Sequence, residues 1–176
     1  MHTLLEDVQA VLSTTPERWQ RLVSTLPIDL LIRPPAAGEW SALNCLQHVL
    51  DAECQNFPIR CRAFLAGQDL TDFDPNQSHA DADSQTPEQL VAAFTRARKA
   101  SLALLKQVKE GDLGRTVQHP KLGAVTLAEM LHTWAAHDLM HTVQAERALM
   151  QSFMLGCGPW RPFFRDHEIS GAQEEG

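Results

Sequence analysis

The chain has 176 residues, of which 44% are hydrophobic and 21% are charged, and this is the composition of an ordinary globular domain. Its 15 lysine and arginine residues against 22 aspartate and glutamate residues give a net charge of −7, which argues against nucleic-acid binding. No apolar run is long enough to span a bilayer, and the N-terminus has no signal-peptide pattern, so we expect no membrane contact and a cytoplasmic location.

Apolar residues at helical spacing run from Leu4 to Leu26. Thr15-Pro16 resembles a helix N-cap followed by proline at the first helical position. This predicts a lead helix and a second piece, or one helix with a break. A second major helix is predicted from Ser41 to Gly67, with a kink or local break at Pro58.

Residues 68–85 form a polar stretch whose aspartates do not match the spacing of an EF-hand calcium loop, so we interpret it as a solvated loop. The aspartates are Asp69, Asp72, Asp74, Asp81 and Asp83. The capping box at residues 86–89 then begins a third helix, which is predicted to stop at Gly111. Its basic side chains are interpreted as a solvated face, with an anionic substrate as the alternative; they are Arg96, Arg98, Lys99, Lys106 and Lys109.

A tight turn at residues 119–123 and a second capping box at residues 126–129 lead into a fourth helix, which runs to about Met150. After it comes an irregular segment whose aromatic residues are expected to pack onto the bundle or a partner chain; they are Trp160, Phe163 and Phe164. The pattern predicts an all-α fold, an antiparallel four-helix bundle over residues 1–165 with a short irregular C-terminal segment and a polar tail over residues 166–176.

Two histidines, His137 and His141, lie four residues apart on the fourth helix, which places both side chains on one face. That face is otherwise apolar and therefore points to the core, with Met130, Trp134, Ala145 and Ala148 as its other members. His132 lies well around the helix and outside this face. Two imidazoles so placed can share one metal ion, but they can also be core histidines bonded to backbone or carboxylate groups.

His48, at the edge of the apolar side of the second helix, is the third candidate, because metal sites in bundles use side chains from facing helices. Three imidazoles leave a coordination position open, as in catalytic sites. The cysteines Cys45, Cys54, Cys61 and Cys157 form no C-x-x-C pair and are expected to be reduced. Cys45 could neighbour the site, although a buried small hydrophobic residue is the preferred interpretation.

Four segments together resemble the DinB/YfiT-like superfamily over most of residues 1–165. They are the Glu-Trp-Ser start and closing histidine of residues 39–48, the turn at residues 119–123, the H-x-x-x-H element of residues 137–141, and residues 158–161. The resemblance implies a four-helix bundle, often a homodimer, which binds a divalent metal such as zinc or nickel. The ligand positions of the family fall on His48, His137 and His141.

Several members of that superfamily are transferases or isomerases that depend on a low-molecular-weight thiol such as mycothiol, bacillithiol or glutathione. The resemblance therefore implies a thiol S-transferase acting on a small-molecule substrate. A second hypothesis is a metal-dependent hydrolase, for which Asp51 and Asp138 are candidate general bases. Asp138 is more simply interpreted as a surface charge. A third hypothesis is a non-catalytic, metal-stabilised protein that binds a ligand or partner.

Overall fold

Helices dominate the computed structural model, which describes residues 2–72 and 85–170. They are α1 (Leu4–Thr25), α2 (Ile28–Ile32), α3 (Ala42–Gln55), α4 (Phe57–Ala66), α5 (Pro87–Leu105) and α6 (Leu127–Met154). Strands β1 (Thr116–His119) and β2 (Gly123–Thr126) form an antiparallel hairpin before α6, with Val117 opposite Val125. Of the predicted polar loop, Asp74, Asp81 and Asp83 lie outside the described residues.

Both predicted capping boxes are confirmed, and two more begin α1 and α3. In each, a hydroxyl side chain accepts from a backbone N–H three residues on; the capping residues are Thr3, Ser41, Thr86 and Thr126. A cap of this kind is typically worth about 1 kcal/mol. The starts of all four long helices are therefore fixed by local sequence.

Helix α1 continues without interruption through Pro16, so the prediction of a separate second piece with Thr15 as its N-cap was wrong. Proline has no N–H and cannot donate to the carbonyl four residues earlier, that of Leu12. A side chain takes its place, because Nη1 of Arg98 donates to the Leu12 oxygen at 2.9 Å. A hydrogen bond from another helix thus replaces the one that proline cannot make, and α1 does not break.

The predicted break near Pro58 is confirmed. Asn56, with φ −120° and ψ −82°, separates α3 from α4, and Pro58 follows in the first turn of α4. Gly67 ends α4 with φ 66°, a left-handed conformation that favours glycine. Helix α5 ends at Leu105, earlier than the predicted Gly111. The residues that follow it form i to i−3 hydrogen bonds, as at Gln107 and Val108, and these close the helix.

The four long helices form the predicted bundle, in which α1 and α3 each pack against both α5 and α6. The N-terminal half of α1 shares one apolar cluster with the N-terminal half of α6 and the C-terminal part of α5. A second cluster joins the other half of α1 to the beginnings of α3 and α5 and the end of α6. Pairs α1–α5 and α3–α6 therefore run antiparallel, whereas pairs α1–α6 and α3–α5 run parallel.

After α6 the chain continues in 3₁₀ turns over Leu155–His167, which Gly158 interrupts with φ 53°. The side-chain amide of Gln151 donates to the carbonyl of His167 at 2.9 Å and so ties this segment back to α6. Of its three aromatics, Phe164 is partly buried, whereas Trp160 is 66% exposed and Phe163 is 82% exposed. For these two, packing onto a partner chain stays a prediction. Within the described ranges, no helix is both long and apolar enough to cross a membrane.

Candidate metal centre

Helices α3 and α6 bring together the three histidines that the sequence singled out. His48 comes from α3, and His137 and His141 come from successive turns of α6. One ring nitrogen of each lies within 4.8 Å of the others. In residues 2–72 and 85–170, this is the one such group of histidine, cysteine or acidic side chains. The exposed His132 stays outside it, as predicted.

One pair of donor atoms is spaced as a shared cation requires. Nε2 of His48 lies 3.1 Å from Nε2 of His137. Two nitrogens at the usual Zn–N distance in a tetrahedral site stand about 3.3 Å apart. The ring centroid of His141 lies 4.5 Å from that of His48 and 4.4 Å from that of His137. The donor set could therefore hold one small divalent ion.

Burial keeps these imidazoles neutral. Burial, together with the neighbouring histidines, lowers the pKa of His48 and of His137 to about 4. Burial also lowers the pKa of His141, against an opposing hydrogen bond to Gln144. A neutral imidazole offers its ring-nitrogen lone pair to a metal, whereas a protonated one cannot. At neutral pH all three rings are in the form that ligates.

Gln144 orients His141. Its Oε1 lies 2.8 Å from Nδ1 of His141 on the same helix, one turn on. With the Nδ1–H donating to that oxygen, Nε2 is left with its lone pair toward the other histidines. We did not predict this residue from sequence. An amide three residues after a candidate ligand was the available signal.

Two aromatic side chains border the histidines. The Trp40 ring stacks at 5.7 Å from His141 and lies 4.9 Å from His48. Phe57 presents itself edge-on to His137 at 5.1 Å and stacks on Trp134 at 5.3 Å. Trp40 belongs to the Glu-Trp-Ser motif, and Phe57 immediately follows the α3–α4 break. The break and the motif thus place the walls of the site.

Asp138 is not the surface charge that the sequence indicated; its side chain is buried. Its carboxylate accepts from both terminal nitrogens of Arg98, at 2.8 and 2.7 Å, and from the hydroxyl of Thr15 at 2.5 Å. Asp51, the other candidate base, accepts from the amide of Gln47 at 3.1 Å. Neither carboxylate belongs to the group of converging ligand atoms.

Arg98 is likewise not part of a solvated face, since only 1% of its side chain is exposed. Its five N–H groups are all used: two donate to Glu53, two to Asp138 and one to Leu12. Trp134 Nε1–H also donates to Glu53, at 3.3 Å. We call Arg98, Glu53 and Asp138, with the donors Thr15 and Trp134, the Arg98 clasp. It joins all four long helices.

Cys45 behaves as the preferred interpretation expected. It is fully buried in the second apolar cluster, and burial raises the pKa of its thiol to about 12. All four cysteines are free. Cys45 therefore remains a protonated thiol at neutral pH and does not add a thiolate to the histidines.

Comparison with known proteins gives one family and one fold. A model of the DinB superfamily matches residues 12–145. A solved structure, YfiT from Bacillus subtilis, aligns with a TM-score of 0.72 and 19% identity over 86% of this chain and 87% of that chain. YfiT is described as a probable metal-dependent hydrolase with an unusual four-helix bundle topology. A search of curated proteins gave no significant match.

Proposed function

The chain belongs to the DinB superfamily, and from this membership we propose that His48, His137 and His141 bind one divalent metal ion that serves a reaction on a small-molecule substrate. The observation that carries the proposal is the convergence of three neutral ring nitrogens from two facing helices. Zinc and nickel are the metals we propose, since imidazole ligands suit both. When bound, such an ion supplies Lewis acidity and lowers the pKa of water or a thiol.

Residues around the histidines are proposed to orient them and to exclude water. Gln144 holds the tautomer and angle of His141 through its 2.8 Å hydrogen bond. Trp40 and Phe57 shield the imidazoles from water on two sides, which strengthens polar interactions at the site. The oxygens of Asp138 are engaged by Arg98 and Thr15, so its contacts give no support to the predicted role as general base.

Hydrolysis of a small molecule is the first candidate reaction. Three protein ligands leave a position for water, and the structurally similar YfiT is described as a probable metal-dependent hydrolase. Metal-acidified water can act as a nucleophile without a separate carboxylate base. This agrees with a histidine group that contains no carboxylate among the described residues.

Transfer to a low-molecular-weight thiol is the second candidate. The observation that favours it is that no described cysteine belongs to the histidine group and that Cys45, three residues before His48, keeps a protonated thiol. A thiol nucleophile would therefore come from outside the chain. Glutathione, bacillithiol and mycothiol are the co-substrates to test, because metal coordination deprotonates a thiol.

Metal content is the measurement that tests the proposal. Untagged wild-type protein is expected to carry close to one equivalent of divalent metal by elemental analysis, and His137→Ala is expected to lose it. His132→Ala is the matched control, because it removes an exposed histidine from the same helix. Folded wild type that takes up no zinc or nickel, even when either is added, would overturn the proposal.

Turnover then separates the two reactions. Hydrolysis predicts that metal-loaded protein consumes ester, amide or lactone substrates without added thiol, and that His137→Ala does not. Thiol transfer predicts that an electrophilic substrate is consumed only with glutathione, bacillithiol or mycothiol present. Stoichiometric metal with neither activity would favour the non-catalytic alternative.

We further propose a cytoplasmic homodimer with a bundle domain over residues 1–165 and a polar tail over residues 166–176. The exposed Trp160 and Phe163 support dimerisation, because large aromatic side chains are enriched at protein interfaces. Light scattering on the purified chain decides this point. A monomer mass at micromolar concentration would contradict it.

A further inference from the structure

The Arg98 clasp carries more negative than positive charge. One guanidinium is paired with two carboxylates, those of Glu53 and Asp138, at 2.9 and 2.7 Å. The three side chains are only 1–2% exposed, so water screens them poorly. The clasp therefore holds a net charge of about −1 inside the bundle, on side chains that belong to three different helices.

This charge is connected to the histidines in two ways. On α6, Asp138 follows His137 and precedes His141 by less than one turn. Glu53 accepts from Trp134, whose ring stacks on Phe57, and Phe57 in turn contacts His137. The clasp thus reaches the site along the backbone of α6 and through a chain of packed rings.

The charges of the clasp act on the imidazoles at close range. Asp138 interacts electrostatically with both His137 and His141, and Arg98 interacts with His137 in the opposite direction.

The three ligands add no charge of their own. A divalent ion held only by neutral imidazoles keeps its full charge of +2, and moving it into a partly buried site costs hydration free energy. An opposite charge fixed nearby in a medium of low dielectric constant offsets that cost. Carboxylates behind metal-binding histidines commonly change metal affinity even without touching the ion.

We propose that the Arg98 clasp is the electrostatic counter-charge of the metal centre, in which Glu53 and Asp138 act as positioning residues that raise the affinity of the three histidines for a divalent cation. The inference rests on the proposed metal site. It assigns the clasp a second role beyond joining the helices, and it predicts that metal affinity depends on charge at residues that do not ligate.

The test is the affinity for Co²⁺ and Zn²⁺ of Glu53→Gln and Asp138→Asn. Each removes one negative charge at nearly constant shape, and we expect the dissociation constant to rise about 10- to 100-fold. The visible spectrum of bound Co²⁺ is expected to stay unchanged, because the same three imidazoles ligate. Glu53→Gln keeps both bonds between Arg98 and Asp138, which favours folding.

Thr15→Val is the matched control. It removes a hydrogen bond to Asp138 and leaves every charge in place, so its dissociation constant should stay within about threefold of wild type. Wild-type affinity in Glu53→Gln and Asp138→Asn would overturn the inference while leaving the metal site intact. An altered Co²⁺ spectrum in both would overturn it in favour of a purely geometric role. Wild type that binds no metal would instead overturn the proposed function.

Salt provides the deciding measurement if both neutralised variants fail to fold. Attraction from a buried counter-charge is poorly screened, so wild-type affinity should change less than about threefold between roughly 0.05 and 0.5 M of a non-coordinating salt. A loss of tenfold or more would locate the attraction in the acidic surface of the chain, whose net charge is −7, and overturn the inference.

Discussion

Replacing Arg98 with methionine is expected to lower the free energy of unfolding by about 3–5 kcal/mol, the usual cost of removing one partner from a buried ion pair. Glu53 and Asp138 would be left as buried carboxylates without a cation. The Leu12 carbonyl, which receives no hydrogen bond from Pro16, would also lose the one from Arg98. Urea denaturation followed by circular dichroism measures the change. Such a loss is a large part of the stability of an ordinary domain.

Two comparisons identify the cause of that loss. Lys99→Met changes the exposed neighbour of Arg98 on α5 and should shift the free energy of unfolding by no more than about 0.5 kcal/mol. Adding Glu53→Gln and Asp138→Asn to Arg98→Met should recover part of the stability, because no unpaired charge remains. A loss below about 1 kcal/mol in Arg98→Met would show that the clasp does not hold the helices together.

Adding zinc or nickel to metal-free protein is expected to raise the free energy of unfolding by about 2.7 kcal/mol when the free ion is at 100 times its dissociation constant. A ligand that binds only the folded state stabilises it by this amount. For a chain of this size the melting temperature would rise by about 5–10 °C. Differential scanning calorimetry with and without metal measures the shift.

The effect should depend on His48, which alone connects α3 to the ligands of α6. His48→Ala should show little of the metal-induced shift, since two histidines on one helix bind an ion far more weakly than three across two helices. His132→Ala should retain it in full, and a chelator should reverse it in wild type. Equal shifts in wild type and His48→Ala would place the bound metal elsewhere.

Local patterns predicted the helices and the common face of His137 and His141, whereas long-range pairing was hidden. Caps at Thr86 and Thr126 are signalled within four residues, and the spacing of His137 and His141 fixes their common face. Arg98 was misjudged because it lies in a helix with several other basic residues. Its burial depends on Glu53 and Asp138, which are 45 and 40 residues away.

The continuity of α1 was hidden for the same reason. A proline inside a helical pattern normally predicts the end of the helix. Helix α1 can continue because the Leu12 carbonyl, which Pro16 cannot bond, accepts a hydrogen bond from a donor in another helix. Arg98 provides that donor. Sequence periodicity therefore defined the faces of the helices but could not show which buried polar groups would satisfy one another.

The chain separation between His48 and His137 governs when the centre can exist during folding. These residues are 89 positions apart, and closing such a loop costs roughly 4 kcal/mol of chain entropy. An unfolded chain therefore offers an ion at most the neighbouring pair on α6. If the three histidines bind an ion as proposed, we expect the bundle to assemble before the ion is bound, so that protein refolded without metal is folded and empty.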